Sequence, residues 1–181
     1  MKRFALVTAT LFLAVGSARA EDFQAVTGQL VPGRCHMNEC GWSVFDSVEP
    51  VIQAKRGSLF RIQQRYFTAD YPNGDYSKHR PRKLVGSAES YVICSKTHPA
   101  MIDKGDSKGW YVTTLAPGDQ EQIFGFNETS LANYYAACHG MIVHDVYAGA
   151  AVARSMGYPA HVESLPDQSQ VAEPAEALGK P

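Results

Sequence analysis

Residues 42–67, WSVFDSVEPVIQAKRGSLFRIQQRYF, have the pattern of two β-strands joined by a turn. β-Branched and aromatic residues are frequent in both halves, and from residue 59 to residue 67 the side chains alternate between two faces. Residues 55–58, KRGS, have the composition of a turn. The stretch therefore predicts a β-hairpin in which Pro50 lies at a bulge or at the edge of the sheet.

Shorter strand patterns follow the hairpin. Residues 88–95 and 109–115 are rich in β-branched and aromatic residues, and residues 100–102 can continue the first of these strands. Polar segments with turn composition separate them, the longest being the loop over residues 69–87. This part of the chain predicts a small antiparallel sheet.

The clearest helical pattern lies near the C-terminus. Asn127 or Thr129 can cap a helix there, Arg154 suits its last turn, and Gly157 and Pro159 end it. We therefore expect an α+β fold, a small antiparallel sheet packed against one long C-terminal helix and stabilised by disulfides. One apolar face of this helix is formed by residues at helical spacing, namely Leu131, Tyr135, Cys138, Ile142, Val146, Gly149 and Ala153.

The N-terminus has the pattern of a secretory signal peptide. Lys2 and Arg3 precede an uncharged apolar run over residues 4–16, and Ala18 and Ala20 stand where a signal peptidase requires small residues. The run is shorter than the roughly 20 residues that cross a bilayer, so we expect cleavage after Ala20 and no transmembrane anchor. The sequence predicts a periplasmic or secreted protein.

The expected organisation is a leader over residues 1–20, one globular domain over residues 21–158 and a disordered tail over residues 159–181. The tail is rich in Pro, Glu, Gln, Ser and Ala and has few large apolar residues. The chain has 17 Lys and Arg against 18 Asp and Glu, and the leader holds three of the basic residues. A mildly acidic domain gives no reason to expect binding to nucleic acid.

All four cysteines follow the expected cleavage site. An even number of cysteines in an exported chain predicts two disulfides, and three pairings are possible. We favour Cys35–Cys40, which closes a short loop, and Cys94–Cys138, which ties a strand to the helix. A crossed pairing, with Cys35 or Cys40 bonded to Cys138, stays open. We expect these cysteines to be structural and not nucleophilic.

The loop over residues 69–87 carries the densest cluster of positive charge. Arginine and tyrosine are common at recognition surfaces, and loops often carry function. No catalytic motif is evident, so we expect a non-enzymatic binding protein without a cofactor, whose partner is an anionic protein or envelope component. A hydrolase whose residues the spacing does not reveal is a third hypothesis. The candidate binding residues are Tyr71, Tyr76, Lys78, Arg80, Arg82 and Lys83.

The alternative hypothesis is a copper- or haem-binding protein. Cys138-His139 matches half of the Cys-x-x-Cys-His haem motif, with Tyr135 in place of the first cysteine, and imidazole and thioether groups suit copper. A Cys35–Cys138 bond would bring His36 and Met37 close to His139. Alternatively, a helix break at Gly140 would let His139, Met141 and His144 converge on one ion. The candidate ligands are His36, Met37, His139, Met141 and His144.

Overall fold

The structure, a computed structural model, describes residues 25–105, 109–163 and 167–179; the expected leader and its cleavage site lie outside these ranges. Within these ranges, seven strands form one sheet in which each strand pairs antiparallel with the next along the chain. The strands are β1 (Leu30–His36), β2 (Glu39–Ala54), β3 (Gly57–Asp70), β4 (Lys83–Cys94), β5 (Ala100–Lys104), β6 (Trp110–Thr114) and β7 (Gln168–Val171).

In the part of the chain that the structure describes, two short α-helices accompany the sheet. Helix α1 (Glu128–His139) contacts β1, β4 and β5, so the sheet curls around it, and α2 (Val146–Ser155) packs against α1. Single 3-10 turns occur at Gln120–Gln122 and Pro174–Leu178. Within the described residues, no helix combines the length and the apolar character needed to cross a membrane.

The predicted hairpin is confirmed and is the longest pairing in the sheet. Strands β2 and β3 pair from Glu39 opposite Asp70 to the turn after Ala54. The register shifts between Pro50 and Ile52, which leaves one extra residue in β2. This bulge accommodates the proline, as predicted, because Pro50 has no N–H to donate to the ladder.

The expected single long helix is wrong, and with it the expected small sheet. Helix α1 ends at His139 because Gly140 adopts a left-handed conformation, with φ of 63°, and donates its N–H to the Tyr135 carbonyl. Helix α2 begins only at Val146, where the Asp145 side chain accepts the N–H of Tyr147 at 2.9 Å. The apolar spacing that predicted one helix is therefore shared by two short ones, and the seven-stranded sheet makes up most of the fold.

Strand β7 lies in the stretch for which composition predicted a disordered tail. It pairs with β6 from Trp110 opposite Val171 to Thr113 opposite Gln168. Leu178 follows in the 3-10 turn and is buried in a small cluster with strand residues that include Leu59. Backbone pairing and one buried leucine organise this polar segment.

The main core lies between α1 and the inner face of the sheet. Phe45 and Ile62 of the sheet are fully buried against Tyr134 and Tyr135 of α1. The Cys94–Cys138 disulfide joins β4 to α1 within this core, and Cys35–Cys40 joins β1 to β2. Both disulfides are present in the pairing that the sequence analysis favoured.

A buried polar cluster interrupts the inner face of the sheet. Gln64 is 1% exposed and donates to Ser90 Oγ at 2.7 Å, and Asp103 lies directly opposite Ser90 in the register. Within the described residues, no side chain forms a hydrogen bond or an ion pair with the Asp103 carboxylate. Burial raises the pKa of Asp103 to about 6. An ionised Asp103 therefore opposes folding.

We expect the two disulfides to differ in their contribution to stability. Under the chain-entropy model, the bond across 44 residues contributes about 4 kcal/mol and the bond across 5 residues about 2 kcal/mol. Urea unfolding of the variants Cys94→Ala/Cys138→Ala and Cys35→Ala/Cys40→Ala measures this difference, each variant being the control for the other. Equal losses of unfolding free energy would contradict the ranking.

Asp103→Asn should raise the free energy of unfolding at pH 7.5. The cost of ionising Asp103 is absent below about pH 4, grows as the pH rises toward 6 and is complete above it, where it reaches about 3 kcal/mol. The gain should therefore vanish when unfolding is measured at pH 4. Glu49→Gln is the control, because Arg61 lowers the pKa of Glu49 and this substitution should give no gain. A gain for Asp103→Asn that is independent of pH would refute the assignment.

Candidate functional site

Two candidate sites lie at opposite ends of β3. At one end Thr68 pairs with Lys83, where the loop between β3 and β4 begins and ends. At the other end Ser58 pairs with Cys94, next to the turn between β4 and β5. Because β3 has 14 residues, its ends are roughly 40 Å apart along the strand. We call the first region, residues 35–42 and 69–85, the clamp end; the second contains a cleft.

The turn between β1 and β2 forms the tip of the clamp end. Cys35–Cys40 closes this turn, and its two central residues, Met37 and Asn38, have positive φ angles of 49° and 69°. Such a turn holds two strands together with little freedom, and the disulfide restricts it further. Met37 is 81% exposed. A rigid turn therefore presents an apolar side chain to solvent.

The neighbouring loop is fastened to this turn by the two predicted tyrosines. The Asn38 carbonyl accepts the N–H of Tyr71 at 2.6 Å, and the Asn38 N–H donates to the Tyr76 hydroxyl at 3.2 Å. The two tyrosine rings pack edge to face with centroids 5.4 Å apart. Tyr71 is buried, so it orders the loop, whereas Tyr76 is 39% exposed and is accessible to a partner.

The predicted cationic residues differ in how far they are neutralised. Lys78 lies 3.1 Å from Asp75, and Lys83 lies 2.8 Å from Asp70. These are exposed ion pairs, which add little stability but do offset the two lysine charges. Arg80 is exposed and has no hydrogen bond or ion pair with a described residue.

Arg82 contacts one member, Trp42, of an apolar row that the sequence analysis missed. Its guanidinium carbon lies 4.7 Å from the centre of the Trp42 ring. Trp42, Phe67 and Leu84 are direct partners across β2, β3 and β4, so they share one face of the sheet. Leu84 is 58% exposed. The apolar residues of each strand are visible in the sequence, but their alignment across the strands is not. It depends on the pairing register of β3 and β4, in which Val85 is an extra residue of β4.

The cleft at the other end of the sheet has a volume of about 900 Å³. It lies between the turn after β4, the end of β6 and residues 157–163. Its floor includes Ile93, Val112 and Leu115, which are buried apolar side chains. The polar groups at its mouth are Thr97, Thr114, Lys96, His98, His161 and Glu163.

One wall of the cleft is held in place by a buried carboxylate. Asp119 is 1% exposed, and its oxygens accept the N–H of Glu121 at 3.0 Å and the N–H of Val162 at 2.9 Å. His161 Nδ1 lies 3.6 Å from Asp119 Oδ2. The donor atoms of Asp119, Glu121 and His161 lie within 4.8 Å of one another, a spacing that a metal ion could also use. The backbone contacts of Asp119 explain its position without a metal.

A buried hydrogen-bond chain lies behind the cleft. His139 Nε2 is 2.8 Å from the Tyr158 hydroxyl, which is 2.7 Å from the Tyr134 hydroxyl. Tyr134 donates to the Ser95 carbonyl at 3.0 Å. Burial raises the pKa of Tyr134 well above its ordinary value, so this phenol keeps its proton. The chain connects α1 to the turn after β4 and fixes one side of the cleft.

The predicted metal ligands do not form one group. Cys138 bonds to Cys94, so the Cys35–Cys138 disulfide that would bring His36 and Met37 beside His139 is not formed. The helix does break at Gly140, but His139 forms a hydrogen bond with the Tyr158 hydroxyl. The five lie in three places: His36 and Met37 at the clamp end, His139 behind the cleft, and Met141 and His144 between the two helices.

Comparisons with models of protein families, with curated proteins and with solved structures find no match. The clamp end and the cleft are therefore the features from which a function is inferred. Of the two, the clamp end contains all the residues that the sequence analysis selected for binding.

Proposed function

We propose that this chain is an exported, non-enzymatic binding protein that recognises an anionic partner at the clamp end, either an acidic protein or an envelope component. The observation that carries the proposal is the 81% exposure of Met37 at the apex of a turn closed by a disulfide. An apolar side chain in this position has no role in the core. Its rigid presentation favours contact with another molecule.

Preorganisation supports binding at this end. Association costs the entropy of ordering side chains and loops at an interface, and a surface that is already fixed loses less. Here the disulfide fixes the turn, and Tyr71 and Tyr76 fasten the loop to it. Arginine, tyrosine, tryptophan and methionine are enriched at interfaces, and the clamp end exposes or stacks all four types.

Charge supports an anionic partner. Asp70 and Asp75 offset the two lysines of the loop, but no carboxylate within the described residues pairs with Arg80 or Arg82. Asp75 also attracts Arg80, and Arg82 stacks on Trp42, so the clamp end retains at least one guanidinium charge that no carboxylate offsets within the described residues. The copper or haem alternative stays a prediction, and no contact among the described residues favours it.

Reversing the two arginine charges should weaken binding to an anionic probe. We expect Arg80→Glu/Arg82→Glu to lower the affinity for poly-L-glutamate at least about tenfold at low salt. The control is Lys55→Glu/Arg56→Glu, which makes the same charge change in the exposed turn at the other end of β3. Fluorescence anisotropy of labelled poly-L-glutamate measures both affinities. Equal losses in the two variants would show that net charge, and not the clamp end, governs binding.

The proposed export has a separate test. When the chain is produced with residues 1–20 in a bacterial host, the periplasmic fraction should contain a protein that begins at Glu21. Mass analysis after thiol alkylation without a reductant should find all four cysteines unmodified, because both disulfides form outside the reducing cytosol. A cytosolic chain that retains its leader, or one with four alkylated cysteines, would contradict export.

A further inference from the structure

We propose that the cleft is a second binding site, for a small amphiphilic anion with an apolar body and a carboxylate or sulfonate head. This site lies at the opposite end of β3 from the clamp end, so the inference goes beyond the proposed function. Its volume of about 900 Å³ suits an organic molecule of moderate size.

The floor of the cleft selects the apolar body. Ile93, Val112 and Leu115 are 1%, 6% and 3% exposed, and they line the cleft with an apolar surface. Ala100 and Ala177 also line the cleft, and their short side chains leave room above this surface. An apolar group placed here would be removed from water on several sides, which favours its binding.

The walls of the cleft are formed before any ligand binds. Three prolines line it, at positions 99, 117 and 159, and each restricts the backbone locally. The Pro99 carbonyl accepts the N–H of Leu115 at 2.8 Å, which ties the first wall to the end of β6. Gly118 lies so close to the third proline that a Cβ at this glycine would be 2.4 Å from the Pro159 oxygen. A preformed cleft costs little entropy to occupy.

The mouth of the cleft selects the anionic head. Three basic side chains, Lys96, His98 and His161, line the cleft against one acidic side chain, Glu163. His161 directs Nδ1 toward Asp119 at 3.6 Å, and His98 Nδ1 lies 2.8 Å from the neighbouring threonine hydroxyl. In both rings the Nε2 edge lies on the side away from these contacts. The Lys96 ammonium offers donors to an anionic head, and each imidazolium form adds an Nε2–H donor, whereas a neutral ring that donates from Nδ1 does not.

Two fluorescent probes of similar shape and different charge test the site. 1-Anilinonaphthalene-8-sulfonate has an apolar body and an anionic head, and N-phenyl-1-naphthylamine has a similar body without the charge. We expect saturable binding of both to the oxidised native protein, with a higher affinity for the anion. Thr114→Trp, at an exposed position that lines the cleft, should weaken both at least about tenfold by filling the space. Tyr111→Trp, on the same strand but outside the cleft, should change neither.

A second variant separates the contribution of the anionic head to affinity from that of the apolar body. His98→Glu/His161→Glu should weaken the anionic probe about tenfold and leave the uncharged probe within about twofold. Circular dichroism confirms that each variant is folded, and affinity for poly-L-glutamate, which we assign to the clamp end, should be unchanged. Equal weakening of both probes would overturn the anionic assignment. Absence of saturable binding, or no effect of Thr114→Trp, would overturn the site.

Discussion

The bond between Cys94 and Cys138 is the constraint on which the rest of the structure depends. It joins the fourth strand of a meandering sheet to the helix that fills the inner side of that sheet. A sheet built only from neighbouring strands has two open edges, and among the described residues no strand pairing closes it on itself. A covalent link from its middle to α1 restricts that curvature. Because Ser95 follows the bonded cysteine directly, the same link also positions the turn that begins the cleft.

The elements that the sequence predicted correctly are those whose pattern is local. The β2–β3 hairpin follows from alternating side chains around a turn, and the bulge follows from the chemistry of Pro50. The long helix was wrong because apolar spacing continues across Gly140, although glycine at this position and Asp145 five residues later are the ordinary signals for an end and a new start. Strand β7 carries too few apolar residues to be recognised, and it exists because β6 offers it a partner.

The same distinction explains how much of the sites was predictable. The basic loop is one continuous segment, so its residues were found from the sequence. The compensation of Lys78 by Asp75, three residues away, was also within reach of a local argument. The contact of Arg82 with Trp42 was not, because it depends on pairing across three strands. The cleft was out of reach, since its lining comes from distant parts of the chain that only the fold brings together.

The clamp end and the cleft are stabilised by different clusters of buried side chains. The clamp end has its own small cluster of Cys40, Ala69 and Tyr71, with Trp42 packed against it. On the floor of the cleft, Ile93 and Val112 belong to a different cluster, and Leu115 belongs to the main core. Regions with separate clusters can open or yield independently, because stability within a protein is local as well as global. A partner at the clamp end and a small ligand in the cleft would therefore influence each other mainly through β2, β3 and β4, which span both ends of the sheet. Strong coupling between the two sites would require that these strands change their curvature.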